Sequence, residues 1–173
     1  MKRLARILDA SDPGQVRLRS ASATTLTVLM AMVTLVLTTR AIGQPVTVAM
    51  LGTVVAMQAS AAVKDRDQRS RLITTALMAL PASAAVTLAA LLSELGKVAD
   101  VGFIAVLFTA VWVRRFGPRG TALGMVSFIS YFFALFLRAT PEQLPMLIAA
   151  ILGGLLIALF VRGVVFPDRR VVE

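Results

Sequence analysis

The sequence predicts an all-α integral membrane protein, a bundle of six transmembrane helices with the N and C termini on the cytoplasmic side. Three observations predict this fold class: an excess of hydrophobic residues, six apolar stretches in succession, and positive charge gathered on one side. Of the 173 residues, 58% are hydrophobic and 16% are charged, whereas a soluble domain has about 45–50% and about 25%. A soluble fold of this size has too little interior for so much apolar surface. The lipid bilayer is therefore the expected solvent.

Six apolar stretches bounded by charges, proline or glycine follow one another along the chain. A helix needs about 20 residues to cross the hydrocarbon core of about 30 Å. The fourth and fifth stretches are short for a span, and Arg114, Arg115 and Arg119 between them are expected to lengthen both by snorkelling. The predicted spans are 21–39, 45–63, 72–93, 98–113, 121–137 and 144–165.

The charged residues predict the orientation of these spans. With six crossings, 15 of the 18 basic residues and 6 of the 9 acidic residues fall on the side of the N terminus, which gives that side a net charge of +9. The opposite side has three basic and three acidic residues and is neutral. Because loops rich in lysine and arginine stay in the cytoplasm, the charged side and both termini are expected to be cytoplasmic.

One membrane domain with short extensions is expected. Residues 1–20 form a basic cytoplasmic leader, for which an amphipathic helix on the anionic membrane surface and a merely solvated segment are open alternatives. Residues 21–166 form the six-helix transmembrane domain, and residues 167–173 form a short cytoplasmic tail. The first span is expected to be retained, because it is longer than the apolar region of a cleaved signal peptide and no small-residue cleavage site precedes Arg40.

The residue types that the chain lacks limit its chemistry. It contains no cysteine and no histidine, which excludes disulfides, thiolate or imidazole metal sites, and catalysis by either side chain. No nucleophile is paired with a base, so we expect no catalytic residue, no metal, no cofactor and no enzyme activity. The basic residues are divided among short loops at helix ends, which argues against a nucleic acid partner.

Acidic residues are not expected in the membrane core. Glu94, Asp100 and Glu142 are assigned to the outer rim, and the remaining acids to the cytoplasmic side. Ionisable groups inside a membrane commonly form proton relays, so proton coupling within this chain would have to use one of the three rim acids. A loop charge without a part in transport is the alternative for each.

Polar side chains of the fifth predicted span indicate a substrate path. Ser127, Ser130 and Tyr131 occupy positions i, i+3 and i+4, which share one face of a helix. Gln58 in the second span and Arg138 at the outer end of the fifth are further candidates for this path. The alternative is that the hydroxyl groups bond only to backbone carbonyls or to a neighbouring helix.

Arginines of the cytoplasmic loops are candidate contacts for anions. Arg114, Arg115 and Arg119 lie within six residues, and like charges at such spacing favour a phosphate or carboxylate among them. Arg66 belongs to another loop, in which positive and negative charges alternate. An anionic lipid headgroup and a transported acid would satisfy these arginines equally, and a plain topology signal is the alternative for the loop of Arg66.

Several strings of the sequence together resemble one membrane protein family. They are Asp12-Pro13-Gly14 with Arg17 and Arg19, Val63-Lys64-Asp65-Arg66, RRFGPRG at 114–120, ALGMVSFISYFFALF at 122–136, and Phe166-Pro167-Asp168-Arg169. The pattern is similar to the N-terminal membrane half of the fusaric acid resistance-like, or aromatic acid exporter, family, and it covers nearly the whole chain. The resemblance implies a six-helix module of the bacterial inner membrane that exports aromatic or other organic acids by a proton-driven route.

Members of that family typically add a cytosolic domain and a second membrane half. The chain is therefore expected to be either part of a longer protein or a half-size member that pairs with itself or with a partner. The leading hypothesis is a half-size exporter of small organic anions, embedded in lipid and touching anionic headgroups. The alternative is a structural or accessory subunit of a larger membrane complex, which the G-x-x-x-G spacing of Gly120 and Gly124 suits because it permits close helix contact.

Overall fold

The computed structural model describes residues 16–62 and 68–165, and every regular element within these ranges is helical. The α-helices are α1 Val16–Ala41, α2 Val46–Ala62, α3 Gln68–Leu77, α4 Ala79–Leu92, α5 Lys97–Val113, α6 Pro118–Phe136 and α7 Leu144–Phe160. Single 3₁₀ turns, Ser93–Leu95, Arg114–Phe116 and Pro141–Gln143, lie in the connections that follow α4, α5 and α6. A π-helical turn, Val161–Val165, extends α7.

Helices α3 and α4 form one rod with a local irregularity at Met78. Proline has no amide hydrogen, so Pro81 cannot donate to the carbonyl of Leu77 one turn earlier. The helical hydrogen bonds nevertheless continue before and after Met78. The Met78 amide donates to the carbonyl of Thr74, and the Ala82 amide donates to the carbonyl of Met78, each at 3.1 Å. We call this element the α3–α4 rod.

Within residues 16–62 and 68–165, four helical stretches are long and apolar enough to cross a membrane, which indicates a membrane protein by length and composition. They are Ser20–Ala41, Arg69–Leu92, Pro118–Phe136 and Pro141–Val165. Val46–Ala62 is a shorter apolar helix. Its 17 residues, like the 17 of α5, extend about 26 Å at 1.5 Å per residue. Each of the six predicted segments corresponds to one helical rod, but only four rods have the length and hydropathy of a full span.

The ends of the chain differ from the prediction or lie outside the described residues. Helix α1 begins at Val16, so residues 16–20 of the predicted leader belong to the first helix. Residues 1–15 of the leader, the loop 63–67 with Arg66, and the tail 166–173 are not among the described residues.

The packing of the rods repeats in two halves. Helices α2, α4, α6 and α7 supply the main hydrophobic core, while α1 packs on α2 and α7, and α5 packs on α6 and α4. Helix α1 corresponds to α5, α2 corresponds to α6, and the α3–α4 rod corresponds to α7. When each of these is exchanged for its counterpart, the pattern of contacts stays the same. The two sets of three rods therefore make equivalent contacts.

Glycines allow α2 and α7 to approach each other closely. A Cβ atom added to Gly154 would overlap the carbonyl oxygen of Gly52, and one added to Gly52 would overlap the carbonyl oxygen of Ala150. Small residues at helix contacts in membranes permit such backbone approach. The Leu35 side chain of α1 lies against Gly52 and fills the space beside the contact of α2 and α7.

The G-x-x-x-G pair of α6 serves a second close contact. Added Cβ atoms at Gly120 and Gly124 would overlap the carbonyl oxygens of Val113 and Ala110 of α5. The spacing therefore joins α6 to α5 within the chain.

Candidate functional site

An apolar groove of about 590 Å³ lies between the α3–α4 rod, α5 and α6. Its walls come from residues 77–88 of the rod, 105–113 of α5 and 123–127 of α6. The groove opens sideways from the bundle, since Leu80 is 71% exposed and Ala84 and Ala105 on opposite walls are also exposed. Small-molecule sites enclose about 300–1,000 Å³, so the groove has the size of a ligand site.

The two hydroxyl groups in the groove wall are already engaged. Thr109 Oγ1 donates to the Ala105 carbonyl at 2.8 Å, and Ser127 Oγ donates to the Leu123 carbonyl at 2.9 Å. Each hydroxyl hydrogen is therefore used within its own helix, and only oxygen lone pairs remain to face a ligand. The groove favours an apolar body with few polar groups.

Three arginines stand at one end of this groove. Its wall on α5 ends at Val113, and the next residue, Arg114, begins the 3₁₀ turn that leads to α6. The side chains of Arg114, Arg115 and Arg119 are exposed. We call these three residues the arginine rim. The structure thus joins an apolar groove to a cationic end.

Aromatic rings hold one of these guanidinium groups. The Arg115 Cζ atom lies 3.5 Å from the centroid of the Trp112 ring and 4.7 Å from that of Phe116. The two rings meet edge to face at 5.7 Å. Cation–π contacts of this kind stabilise a charge at a half-exposed site, and tryptophan beside arginine is typical of a membrane–water interface.

A column of phenylalanine rings continues from the groove along α6. Phe128 directly follows Ser127, and its ring lies 6.4 Å from that of Phe132, which lies 6.4 Å from that of Phe136. Phe103 of α5 joins the column at 5.6 Å from Phe128. We call these four rings the aromatic ladder. It covers the part of α6 beyond the groove.

The predicted polar face of α6 is divided between two environments. Ser127 lines the groove, whereas Ser130 and Tyr131 are fully buried in the bundle. The Tyr131 hydroxyl donates to the carbonyl of Ala99 on α5 at 3.1 Å. Ser130 Oγ has no hydrogen-bond partner among the described residues.

The remaining predicted path residues lie away from the groove. Gln58 is half-buried in α2, a helix that contributes nothing to the groove wall. Arg138 is exposed at the far end of α6. The structure therefore places Ser127 in the wall of the groove that ends at the arginine rim, and it places Gln58 and Arg138 outside that wall.

Arg138 has an unusual backbone conformation. Its φ of 50° is the one positive φ outside glycine in the described part of the chain. The amide of Arg138 donates to Leu135 and that of Ala139 to Ala134, the pattern of a Schellman motif. Helix α1 ends in the same motif with Gly43, at φ 68°, in the equivalent position. Left-handed backbone costs a residue with a side chain about 1–2 kcal/mol.

Replacing Arg138 by glycine is expected to raise the free energy of unfolding by about 1 kcal/mol, because glycine adopts this conformation without strain. Gly43→Ala is the matched control and should lower it by a similar amount, since an added Cβ there meets no atom within 4 Å and only the backbone is strained. Unfolding of the purified protein in mixed micelles, followed by circular dichroism, measures both. A destabilised R138G would show that the side chain stabilises the turn.

An arginine outside the predicted set ties three helices together. Arg162, in the π-helical turn, donates from Nε to Ser60 Oγ at 3.1 Å and from Nη2 to the Ser60 carbonyl. Ser60 Oγ in turn donates to Thr24 Oγ1 on α1 at 3.2 Å. Arg162 and Arg71 also line a cavity of about 10 Å³, which is the size of one water molecule. Sequence reasoning missed this contact because Ser60 and Arg162 are 102 residues apart.

Asp100 lies within α5 and within the predicted span 98–113, so the expectation that the spans contain no acid is wrong for this residue. It is in the first turn of α5, where the positive end of the helix dipole favours a carboxylate. Glu142 is in the Pro141–Gln143 turn, and both side chains are exposed.

A contact between Gly102 and Tyr131 can be tested by a double-mutant cycle. A Cβ at Gly102 would stand 2.5 Å from the Tyr131 hydroxyl and from Leu92 Cδ1, so Gly102→Ala should cost about 1–3 kcal/mol. Tyr131→Phe removes one hydrogen bond, at about 1 kcal/mol. In the double variant the alanine should cost less than in the single one, because the hydroxyl is gone. Costs that add within about 0.5 kcal/mol in the same unfolding assay would contradict the contact.

Comparisons of the chain with protein-family models, with curated proteins and with solved structures found no match.

Proposed function

We propose that the protein exports small organic anions, aromatic acids foremost, across the bacterial cytoplasmic membrane. The observation that carries this proposal is the arginine rim at one end of an apolar groove of about 590 Å³. An aromatic carboxylate combines an apolar ring, which suits the groove, with a negative charge, which the guanidinium groups attract. The resemblance to the aromatic acid exporter family points to the same substrate class.

The proposed topology has six crossings, with both termini and the arginine rim in the cytoplasm. The one-sided net charge supports this orientation. The shorter helices α2 and α5 would complete their crossings with snorkelling side chains and local bilayer thinning. Packing in two exchangeable halves of three rods is in keeping with transport, because many secondary transporters are built from inverted repeats.

The proposed route follows the α5–α6 face of the bundle. The arginine rim raises the local concentration of the anion, and the ring of the acid then enters the groove beside Ser127. The aromatic ladder continues from there toward Arg138, which attracts the anion at the outer side. The proton gradient is the proposed energy source. Proton coupling within this chain would have to use one of the rim acids Glu94, Asp100 and Glu142.

Transport by the purified chain in liposomes tests this proposal. Liposomes loaded with radiolabelled hydroxybenzoate should lose it faster with the protein than without it, and an imposed pH gradient should change the rate. Hydroxybenzamide, which has the same shape without the charge, is the matched control and should leave at the leak rate. Loss of every aromatic acid tested at the protein-free rate would overturn the proposal.

An accessory subunit of a larger complex is the second candidate function. Exposed phenylalanines favour it, since Phe108 and Phe136 are 69% and 74% exposed on α5 and α6 and would suit a protein partner as well as lipid. We propose that the exporter is a homo-oligomer, and purification in mild detergent separates the two functions. A particle made only of this chain supports the exporter, and a stoichiometric unrelated protein supports the accessory subunit.

A further inference from the structure

We propose that the groove binds one acyl chain of an anionic phospholipid, whose phosphate group lies at the arginine rim. The binding site is the groove between the α3–α4 rod, α5 and α6. The inference rests on the lateral opening of the groove, its apolar wall, its length and the charge at its end.

The groove faces the space that lipid occupies. Leu80, Ala84 and Ala105 are exposed along its opening, and in a bilayer such a surface meets hydrocarbon chains and not water. The hydroxyl groups of Thr109 and Ser127 are bonded to carbonyls of their own helices. A hydrocarbon chain in the groove would therefore leave no polar hydrogen without an acceptor.

The length of the groove matches one leaflet. Its longest wall runs over residues 77–88 of the α3–α4 rod, which is about 16 Å at 1.5 Å per residue. The hydrocarbon core of a bilayer is about 30 Å thick, so the groove spans about half of it. An acyl chain that starts at the membrane surface has this reach, and the α5 wall of the groove ends at Val113, directly before Arg114 of the arginine rim.

The arginine rim selects the headgroup. Arginine binds phosphate oxygens with paired, charge-assisted hydrogen bonds, and basic residues at a membrane surface attract anionic lipids. The net charge of the predicted cytoplasmic side is +9, which favours phosphatidylglycerol over zwitterionic lipid at this place. Since the proposed function puts the exported acid in the same groove, lipid and substrate would compete for it.

The single tryptophan of the chain reports on the groove directly. Trp112 precedes the groove residue Val113, so bromine atoms on a bound acyl chain should quench its fluorescence. The full chain is placed in phosphatidylcholine vesicles that contain a small fraction of a lipid with brominated chains. The measured quantity is the fraction of brominated lipid that gives half-maximal quenching. We expect this fraction to be lower for brominated phosphatidylglycerol than for brominated phosphatidylcholine, by about fivefold for each arginine that binds the headgroup.

Two variants separate binding in the groove from contact with surrounding lipid. Ala105→Phe fills the groove from α5 and should abolish the preference for phosphatidylglycerol. Ile104→Phe adds a ring to the same helix at a position that is 64% exposed and outside the groove, and it should keep the preference. Should A105F not fold, Ala84→Phe fills the groove from the opposite wall.

The headgroup contact is tested by replacing Arg114 and Arg119 with glutamine while Arg115, which touches the reporter, stays unchanged. This double variant should lose about fivefold of the preference for each of the two arginines that binds the phosphate group. Equal quenching of the unaltered protein by the two lipids, or an unchanged preference in A105F, would overturn the inference. The assay contains no organic acid, so its result is independent of whether the protein exports one.

Discussion

Gly154→Ala is expected to force α2 and α7 apart and to lower the free energy of unfolding by about 1–3 kcal/mol. The added methyl group would overlap the carbonyl oxygen of Gly52, a backbone atom that cannot turn aside as a side chain can. Gly52→Ala should have the same effect from the other helix, because its Cβ would overlap the carbonyl oxygen of Ala150. Both changes should reduce the yield of folded protein from membranes.

The neighbouring glycine is the matched control. A Cβ at Gly153 would lie 3.1 Å from Leu35 Cδ2, the end of a side chain that can move by a few tenths of an ångström. Alanine is also the better helix former by about 1 kcal/mol, which applies at both positions and cancels in the comparison. Unfolding in mixed micelles, monitored by circular dichroism, should give G154A a clearly lower free energy of unfolding than G153A. Equal stabilities would mean that α2 and α7 are not in close contact.

The helical rods could be predicted from the sequence because local features set their ends. The predicted span 98–113 agrees with α5, Lys97–Val113, to within one residue at the start. The predicted span 121–137 begins three residues after the first residue of α6, Pro118–Phe136. There Gly117 takes a φ of 86°, which ends one helix, and Pro118 suits the first turn of the next. Apolar runs and these breaking residues are visible in any single sequence.

The groove could not be predicted, because it needs three helices in one arrangement. Ser127, Ser130 and Tyr131 do share a side of α6, as their spacing predicts. Which of them meets the groove depends on where α5 lies, and that is decided by the contact of Gly124 with Ala110. The spacing alone does not tell which of the three side chains lines a cavity.

Two equivalent three-helix spaces of the bundle differ in how tightly they are filled. Between α1, α2 and α7, Leu35 of α1 lies against Gly52 and Gly153 and fills the space. Between α5, α6 and the α3–α4 rod, the equivalent space is left as the groove. Inverted-repeat transporters alternate access by moving one repeat against the other. On the proposed function, the groove is therefore the side of the bundle that is open to substrate, and filling it should stop transport.

Ala105→Phe is expected to reduce the export of hydroxybenzoate from liposomes by at least about tenfold, the effect of losing 1.4 kcal/mol of binding. Ala105 is exposed on the groove wall, so the new ring would occupy the space of the substrate ring without disturbing the core. Ile104→Phe places the same ring on an adjoining face of α5, where the side chain is already 64% exposed, and it should keep more than about half of the rate. Both variants should elute and unfold like the unaltered protein, which excludes misfolding as the cause. Export by A105F at the rate of I104F would show that the substrate does not pass through the groove. The proposed route along the aromatic ladder to Arg138 would then be wrong as well.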